Sequence, residues 1–371
     1  MALAILWPRI ALSEDLRGKE FTLKDLKGPV FYAPLKGKKF EYWPGLYAFE
    51  VPPVQPGVVT LSIAREGDHI KLSWTSDVDP DIYYLAGIGP GAYTNTYTTW
   101  TPAALGSGSV QTGGFSAVSN KSVLHYNQVK KGDAEVYYKA LNPNTPKDST
   151  WIPQAPAVGK VNITCDPGYN LITVPFSYAS GSDTLDQVFG SQLHAGNVDT
   201  ADRVYTKQQS ASWGMDNAYL STDGKWYWSN KPAELASTFA LDPASGYLVR
   251  NKGSQIIITL VGAVAASPQT VSLTPGYNMI GTIYPTDTAL NDLGFYGVTG
   301  VTAGNVDTGD RIYIKKLAGS WGMDNAYLST DGKWYLSNKP GTAADFTFHS
   351  PQGYFYRMKG TGTISTQSTL K

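Results

Sequence analysis

The sequence predicts an all-β, multi-domain protein with one β-sandwich, two homologous β-sandwich or barrel repeats and an extended N-terminal arm. Composition is the first reason, since the 371 residues include 24 Tyr, 10 Trp, 38 Gly and 23 Pro. Tyr and Trp favour the pleated surface of strands, whereas Gly and Pro are typical of turns. The second reason is a repeat: residues 213–227 read WGMDNAYLSTDGKWY, and residues 321–335 read the same fifteen letters. We therefore expect the last part of the chain to hold two copies of one unit.

Residues 1–54 are predicted to form an arm rather than a domain. Six prolines interrupt regular structure there, while aromatic residues such as Trp43 and Tyr47 are frequent. A stretch too small to enclose a core must bury its aromatic side chains against another surface. Two alternatives stay open: packing against its own chain, and docking on a neighbouring copy.

Residues 55–156 are predicted to form a β-sandwich. Residues 58–63 and 70–74 alternate between apolar and polar types on either side of a turn, which is the pattern of a hairpin. A strand that ends in Trp74, followed late in the module by a strand with Tyr137 and Tyr138, resembles the fibronectin type III family. That resemblance implies adhesion, spacing or assembly rather than catalysis.

The repeats are predicted at residues 157–265 and 266–371, after a proline-rich hinge at residues 153–156. Each has a Pro-Gly-Tyr-Asn turn, a short helix-like stretch (residues 184–189 and 289–293) and the duplicated segment. Asp-Gly inside that segment predicts a two-residue hairpin turn. This order resembles uncharacterised repeat units of secreted bacterial surface proteins that begin with a Gly-Tyr-Asn-Leu-Ile phrase, a resemblance that implies no established activity.

Charge and residue usage exclude several classes of function. The net charge is zero, so a nucleic-acid partner is not expected. No apolar run approaches the ~20 residues that span a bilayer. The four histidines lack metal-ligand spacing, and no cofactor is expected.

Alternating carboxylates at residues 77–81 leave calcium as an alternative. Low charge with many polar residues is typical of bacterial surface proteins, so we expect an extracellular or cell-surface location.

The duplicated segment is the predicted contact site. Its carboxylates, Asp216 and Asp324, are not expected to be catalytic, because one active site is rarely duplicated letter for letter. Its tryptophans are expected either to stack on sugars or to pack in the core. The complete set of predicted assembly or ligand contacts is Trp43, Tyr47, Trp213, Met215, Asp216, Tyr219, Trp226, Trp321, Met323, Asp324, Tyr327 and Trp334.

These observations predict a non-enzymatic extracellular protein that self-assembles into a surface filament, sheath or layer. Folding tolerates many sequences, so fifteen unchanged residues indicate either recent duplication or two patches that meet the same partner. A contact between unlike surfaces that does not close generates a filament. The alternative is a secreted adhesin or carbohydrate-binding protein with surface glycans as partners.

Overall fold

The chain divides into two units, Met1–Gln55 and Pro56–Lys371. The computed structural model describes residues 59–76, 79–86, 100–107, 114–119, 121–129, 134–141, 143, 157–177, 183–207, 214–243, 245–264, 269–281, 288–315, 323–360 and 362–366. The predicted arm, with Trp43 and Tyr47, lies outside these residues, as do Trp213 and Trp321.

The predicted all-β class is confirmed, because the described residues form several separate sheets and very little helix. Sheet I has the order β1-β2-β7-β6-β5 and is antiparallel except for the parallel β5–β6 pair. Its strands are β1 (Thr60–Glu66), β2 (His69–Thr75), β5 (Leu105–Ser107), β6 (Phe115–Ser119) and β7 (Ser122–His125).

Sheet II runs across the predicted boundary at residue 156. Its order is β11-β17-β9-β8-β3-β4, all antiparallel. Its strands are β3 (Asp81–Ala86), β4 (Thr101–Pro102), β8 (Glu135–Leu141), β9 (Val158–Cys165), β11 (Phe176–Ser177) and β17 (Ile256–Val264). The β8–β9 ladder extends from Glu135↔Val161 to Tyr138↔Val158. The first sandwich and the first repeat therefore share one hydrogen-bonded sheet across the expected hinge.

The central strands of sheet II, β8 and β9, are largely buried on both faces. Alternate residues of β8 enter two cores: Val136 and Tyr138 pack with sheet I, while Tyr137 and Leu141 pack with the first repeat. The sheet is thus the middle of three layers. Its buried Lys160 donates a hydrogen bond to the Gln128 carbonyl oxygen at 2.5 Å, which satisfies a cation that would otherwise destabilise the interior.

Sheet III covers the other side of sheet II and belongs to the first repeat. Its order is β10-β16-β12-β13-β14-β15. Its strands are β10 (Gly168–Thr173), β12 (Arg203–Lys207), β13 (Met215–Leu220), β14 (Trp226–Trp228), β15 (Lys231–Leu235) and β16 (Gly246–Asn251). The predicted helical stretch contains α1 (Leu185–Val188), which Thr184 begins with a capping box to Gln187.

The second repeat has the same strand order for five strands, without a counterpart of β15 among its described residues. Sheet IV runs β19-β25-β21-β22-β23, and the two-stranded sheet V is β18-β26. These strands are β18 (Gln269–Leu273), β19 (Gly276–Gly281), β21 (Arg311–Lys315), β22 (Met323–Leu328), β23 (Trp334–Leu336), β25 (Gly353–Met358) and β26 (Gly362–Thr366). A further pair, β20 (Thr288–Ala289) with β24 (Thr347–Phe348), flanks a 3-10 helix at Leu290–Asp292.

The repeated turns have local causes. Asn170 folds back on the Pro-Gly-Tyr-Asn turn: its Oδ1 accepts from the Asp166 backbone N–H at 3.1 Å, and its Nδ2 donates to the Asp166 carbonyl at 2.8 Å. Asn278 makes the same two bonds with Thr274. Gly168 has φ 100°, which a residue without Cβ adopts readily.

The Asp-Gly hairpins are present, but the prediction of a two-residue turn is wrong. The Gly224 N–H donates to the Ser221 carbonyl at 3.0 Å, and the Ser221 N–H donates to the Lys225 carbonyl at 2.9 Å. Gly224 has φ 79°. These contacts form a three-residue loop in which the glycine follows a tight turn, a common alternative to the two-residue loop.

Candidate functional site

The two repeats contact each other through equivalent positions. Isolated bridges join Ile172 to Gln352 and Ser245 to Ile280. Ile280 is the repeat counterpart of Ile172, and Gln352 is the counterpart of Ser245. Each repeat therefore offers the same two positions to the other, as the subunits of a two-fold dimer do. The repeats are related by a local pseudo-two-fold axis.

Glycines allow the backbones to approach at this contact. A Cβ on Gly246 would lie 2.9 Å from the Ile280 carbonyl oxygen, and one on the equivalent Gly353 would lie 2.7 Å from the Ile172 carbonyl oxygen. The Thr173 N–H also donates to the Pro351 carbonyl at 2.8 Å. Only glycine fits both symmetric positions, so the relative orientation of the repeats is fixed by close backbone packing.

This orientation brings one methionine of each duplicated segment to a single groove. Met215 of the first repeat and Met323 of the second both line it, and each is 43% exposed. The remaining lining residues are Lys207, Gly214, Tyr277, Met279, Tyr313 and Phe355. The groove has a volume of about 390 Å³ and a mostly apolar lining. We call it the inter-repeat groove.

One tyrosine pair lines the groove, and an arginine lies beside it. The rings of Tyr277 and Tyr313 are 5.4 Å apart, and the Tyr277 hydroxyl donates to the Tyr313 hydroxyl at 3.3 Å. This hydrogen bond, with burial, raises the pKa of Tyr277. The Arg357 guanidinium lies 5.9 Å from the Tyr277 ring, within the range of a cation–π contact. The hydrogen bond and burial thus favour the neutral form of Tyr277, whereas Arg357 opposes them.

The first repeat carries the same arrangement on the outer face of sheet III. Tyr169 and Tyr205 have ring centroids 5.8 Å apart, and the Arg250 guanidinium lies 5.6 Å from the Tyr169 ring. Burial, followed by the hydrogen bond with Tyr205, raises the pKa of Tyr169. Each repeat therefore has an equivalent surface of tyrosine, arginine and methionine, which includes residues outside the fifteen identical positions.

Lys207 links the two repeats at the groove. Its ammonium donates to Asn278 Oδ1 at 2.8 Å and to the Thr274 hydroxyl. Burial lowers the pKa of Lys207, because the charged form loses part of its hydration. Lys207 of the first repeat is therefore hydrogen-bonded to the second repeat and also places a cation on the groove wall.

The structure separates the predicted contact residues into exposed and buried groups. Trp226 and Trp334 are 5% and 2% exposed and belong to the two repeat cores. Tyr219 and Tyr327 are also buried. Asp216 and Asp324 are half-buried. Among the described members of the predicted set, only the two methionines are exposed and meet in one groove.

Folding accounts for much of the remaining duplicated segment. The Tyr227 hydroxyl donates to Asp223 at 2.8 Å, and the counterpart Tyr335 hydroxyl donates to Asp331 at 2.7 Å. That bond lowers the pKa of each aspartate. These carboxylates therefore hold hairpins in the manner of turn-forming aspartates.

Sequence reasoning missed one pair of buried carboxylates. Asp310 accepts hydrogen bonds from the Thr302 N–H at 2.9 Å, the Lys359 N–H at 2.7 Å and the Tyr356 hydroxyl at 2.9 Å. Its counterpart Asp202 accepts the two equivalent backbone bonds. Burial and the neighbouring Asp310 raise the pKa of Tyr356. In the sequence, Asp-Arg precedes an apolar strand in both repeats. That pattern predicts where the strand begins but not that the aspartate is buried.

A second, more polar cleft of about 420 Å³ lies beside β15 in the first repeat. Its lining residues are Asp216, Trp228, Asn230, Lys231, Glu234, Leu235 and Thr238. Trp228 stacks on Phe239 with ring centroids 5.5 Å apart. The Trp228 ring is half-buried, so part of it borders the cleft next to an ion pair between Lys231 and Glu234.

Within the described ranges, no three His, Cys, Asp or Glu side chains are grouped as metal ligands. No helix in the same ranges is long and apolar enough to cross a membrane. The calcium alternative stays a prediction, since residues 77 and 78 lie outside the described part of the chain. Comparison with protein-family models, curated proteins and solved structures gives no match.

Proposed function

We propose that this chain is a non-enzymatic, extracellular structural protein that self-assembles into a filament, sheath or layer, with the inter-repeat groove as a subunit contact. One observation carries the proposal: the exposed Met215 and Met323, from identical segments, line one groove. A core requirement does not account for two exposed methionines at matching positions. Shared use by one binding partner accounts for them, as the alternative to recent duplication, and their meeting in one groove supports it.

The chemistry of the groove suits a protein partner. Methionine is flexible and polarisable and is often used on surfaces that bind varied apolar groups. Protein interfaces are enriched in Tyr, Met and Arg relative to other surfaces, and all three residue types occur at this groove. Contiguous exposed apolar surface commonly marks an interaction site.

The rest of the fold suits a structural subunit. Sheet II packs against two cores through its central strands and joins the first sandwich to the first repeat. The glycine contact then locks the second repeat to the first. A subunit with internally fixed modules keeps its contact surfaces at constant spacing, which a regular polymer requires.

Sedimentation velocity of the full-length protein tests this proposal. A Met215→Glu, Met323→Glu double variant places two carboxylates in the apolar groove and is expected to shift assemblies to monomers. Val118→Glu is the matched control, because Val118 is a 47% exposed apolar residue on β6 of sheet I. Equal assembly of the double variant and the control would contradict the groove as a contact.

Carbohydrate binding is the second candidate, and the cleft beside β15 favours it. A partly accessible tryptophan among polar side chains is an arrangement in which a sugar ring stacks and hydroxyls find hydrogen-bond partners. A glycan array with wild type and Trp228→Ala distinguishes the two candidates. A sugar binder loses glycan retention in the variant while its sedimentation stays unchanged.

A further inference from the structure

The inter-repeat groove has cationic side chains around an apolar floor. The Arg357 guanidinium lies 5.9 Å from the ring of Tyr277, a residue that lines the groove, and Lys207 lines the groove wall. Arg311 donates to the Val306 carbonyl at 2.8 Å and lies 3.7 Å from Asp307, whose side chain is 86% exposed. Exposed pairs of this kind are weak. The groove therefore favours a ligand that is both apolar and negatively charged.

One segment of the chain has the complementary composition. Residues 40–51 read FEYWPGLYAFEV and contain five aromatic residues and two glutamates, Glu41 and Glu50, with no Lys or Arg. Basic residues instead precede the segment, at Lys36, Lys38 and Lys39. Aromatic and acidic character are thus concentrated in twelve residues.

We infer that residues 40–51 of a second copy of this chain dock in the inter-repeat groove. This inference rests on the proposed function, because it names the partner of the same contact. Aromatic rings of the segment contact Met215 and Met323 through favourable sulfur–aromatic interactions. Glu41 and Glu50 supply negative charge that complements Lys207 and Arg357.

The size of the groove sets how much of the segment it holds. A volume of about 390 Å³ is at the small end of ligand pockets, which run from about 300 to 1,000 Å³. It accommodates anchor side chains rather than twelve residues. Trp43, the largest side chain of the segment, is the expected anchor, and the flanking residues extend over the tyrosine–arginine surface.

Docking between copies also determines the form of the assembly. The donor segment lies near the N-terminus, while the groove lies between the two C-terminal repeats. The two surfaces are different, so the contact is heterologous. Such a contact repeats from copy to copy and forms an open filament unless its rotation closes a ring.

Cross-linking of a mixture tests whether the segment reaches another copy. Full-length Tyr47→Cys and full-length Met215→Cys are mixed and treated with a short bismaleimide that joins two exposed thiols. The native Cys165 is fully buried and does not compete. We expect covalent dimers from the mixture but not from either variant alone. Val118→Cys in place of Met215→Cys is the control and is expected to give none.

Two outcomes overturn the inference. The mixture could give no more covalent dimer than the Val118→Cys control. Alternatively, a Tyr47→Cys, Met215→Cys double variant could cross-link only within its own chain, which would place the segment in its own groove.

The anchor has a separate quantitative test. Trp43→Ala in the full-length chain is expected to weaken self-association by about 30-fold, since truncating an interface tryptophan often costs about 2 kcal/mol. Tyr32→Ala, an aromatic truncation outside residues 40–51, is the matched control and is expected to leave association unchanged. Equal association of the two variants would remove Trp43 as the anchor and contradict the docking.

Failure of the inference is distinguishable from failure of the proposed function. If polymers form but no cross-links join separate copies, the structural role is supported and residues 40–51 are not the partner. If cross-links join two copies but assembly stops at dimers, the docking is supported and the filament, sheath or layer is contradicted.

Discussion

Adding one methyl group at Gly353 is predicted to separate the two repeats. A Cβ there would lie 2.7 Å from the Ile172 carbonyl oxygen and 3.0 Å from the Ile172 carbonyl carbon. Both are backbone atoms, so a side-chain rotation cannot relieve the clash. Over-packing of this kind typically costs about 1–3 kcal/mol. Gly353→Ala should therefore weaken the closed arrangement of the repeats by about 5- to 150-fold.

Hydrogen exchange measures this separation at one amide. The Thr173 N–H donates across the contact to the Pro351 carbonyl at 2.8 Å, so it exchanges when the repeats part. We expect faster exchange of Thr173 in Gly353→Ala. The pseudo-two-fold axis predicts a similar effect in Gly246→Ala, whose Cβ would meet the Ile280 backbone at 2.9 Å.

Gly253→Ala is the matched control. The nearest atom to its added Cβ is 3.7 Å away, which is ordinary van der Waals contact. Where a glycine conformation suits alanine, the substitution is neutral or stabilises by up to about 1 kcal/mol. If Gly353→Ala and Gly246→Ala leave Thr173 exchange at the level of this control, the close backbone contact between the repeats is wrong.

Three further predictions concern the interior. Asp310→Ala removes three hydrogen bonds to a buried carboxylate. In urea unfolding it should lower the free energy of unfolding by at least about 3 kcal/mol. Asp345→Ala, at an exposed aspartate, is the control and should leave the urea midpoint unchanged. Trp334→Ala should cost about 3–5 kcal/mol in the same assay, because the 2% exposed side chain fills the second repeat core; a loss below 1 kcal/mol would contradict that packing. Burial lowers the pKa of Lys139 to about 8, below its ordinary value of about 10.4. The unfolded chain therefore binds this proton more tightly than the folded chain. Because of this difference, the free energy of unfolding should rise with pH between about pH 8 and pH 10. Lys139→Met should flatten that rise, and an unchanged pH profile would refute the assignment.

Local patterns predicted the repeat strands and turns well. Pro-Gly-Tyr-Asn places both strand starts because Asn170 and Asn278 close the turn with their own side chains. Asp-Gly marks both hairpin tips, although the loop is one residue longer than expected. Such features depend on neighbours within about five residues, so the sequence alone contains them.

The sequence does not predict the sheet shared by the first sandwich and the first repeat, because the strands of that sheet contain polar residues. A strand buried on both faces usually reads as a continuous apolar run, but β9 includes Lys160 and Asn162. Distant groups satisfy them: the Gln128 carbonyl accepts from Lys160, and the Thr259 hydroxyl donates to Asn162 at 2.9 Å. Those partners become visible only in three dimensions.

The duplication drew attention to Met215 and Met323, whose role as contacts stays a prediction. Sequence does not show that the repeats meet about a pseudo-two-fold axis. Without that axis, the two methionines are 108 residues apart rather than neighbours in one groove. The burial of Trp226 and Trp334 agrees with the packing alternative for aromatic residues in hairpins.

Negative-stain electron microscopy of the full-length protein tests the central claim most directly. The wild type is imaged beside the Met215→Glu, Met323→Glu variant at the same concentration. We predict filaments or sheets of wild type and separate particles of the variant. Monodisperse single-chain particles in both samples would contradict self-assembly through the inter-repeat groove.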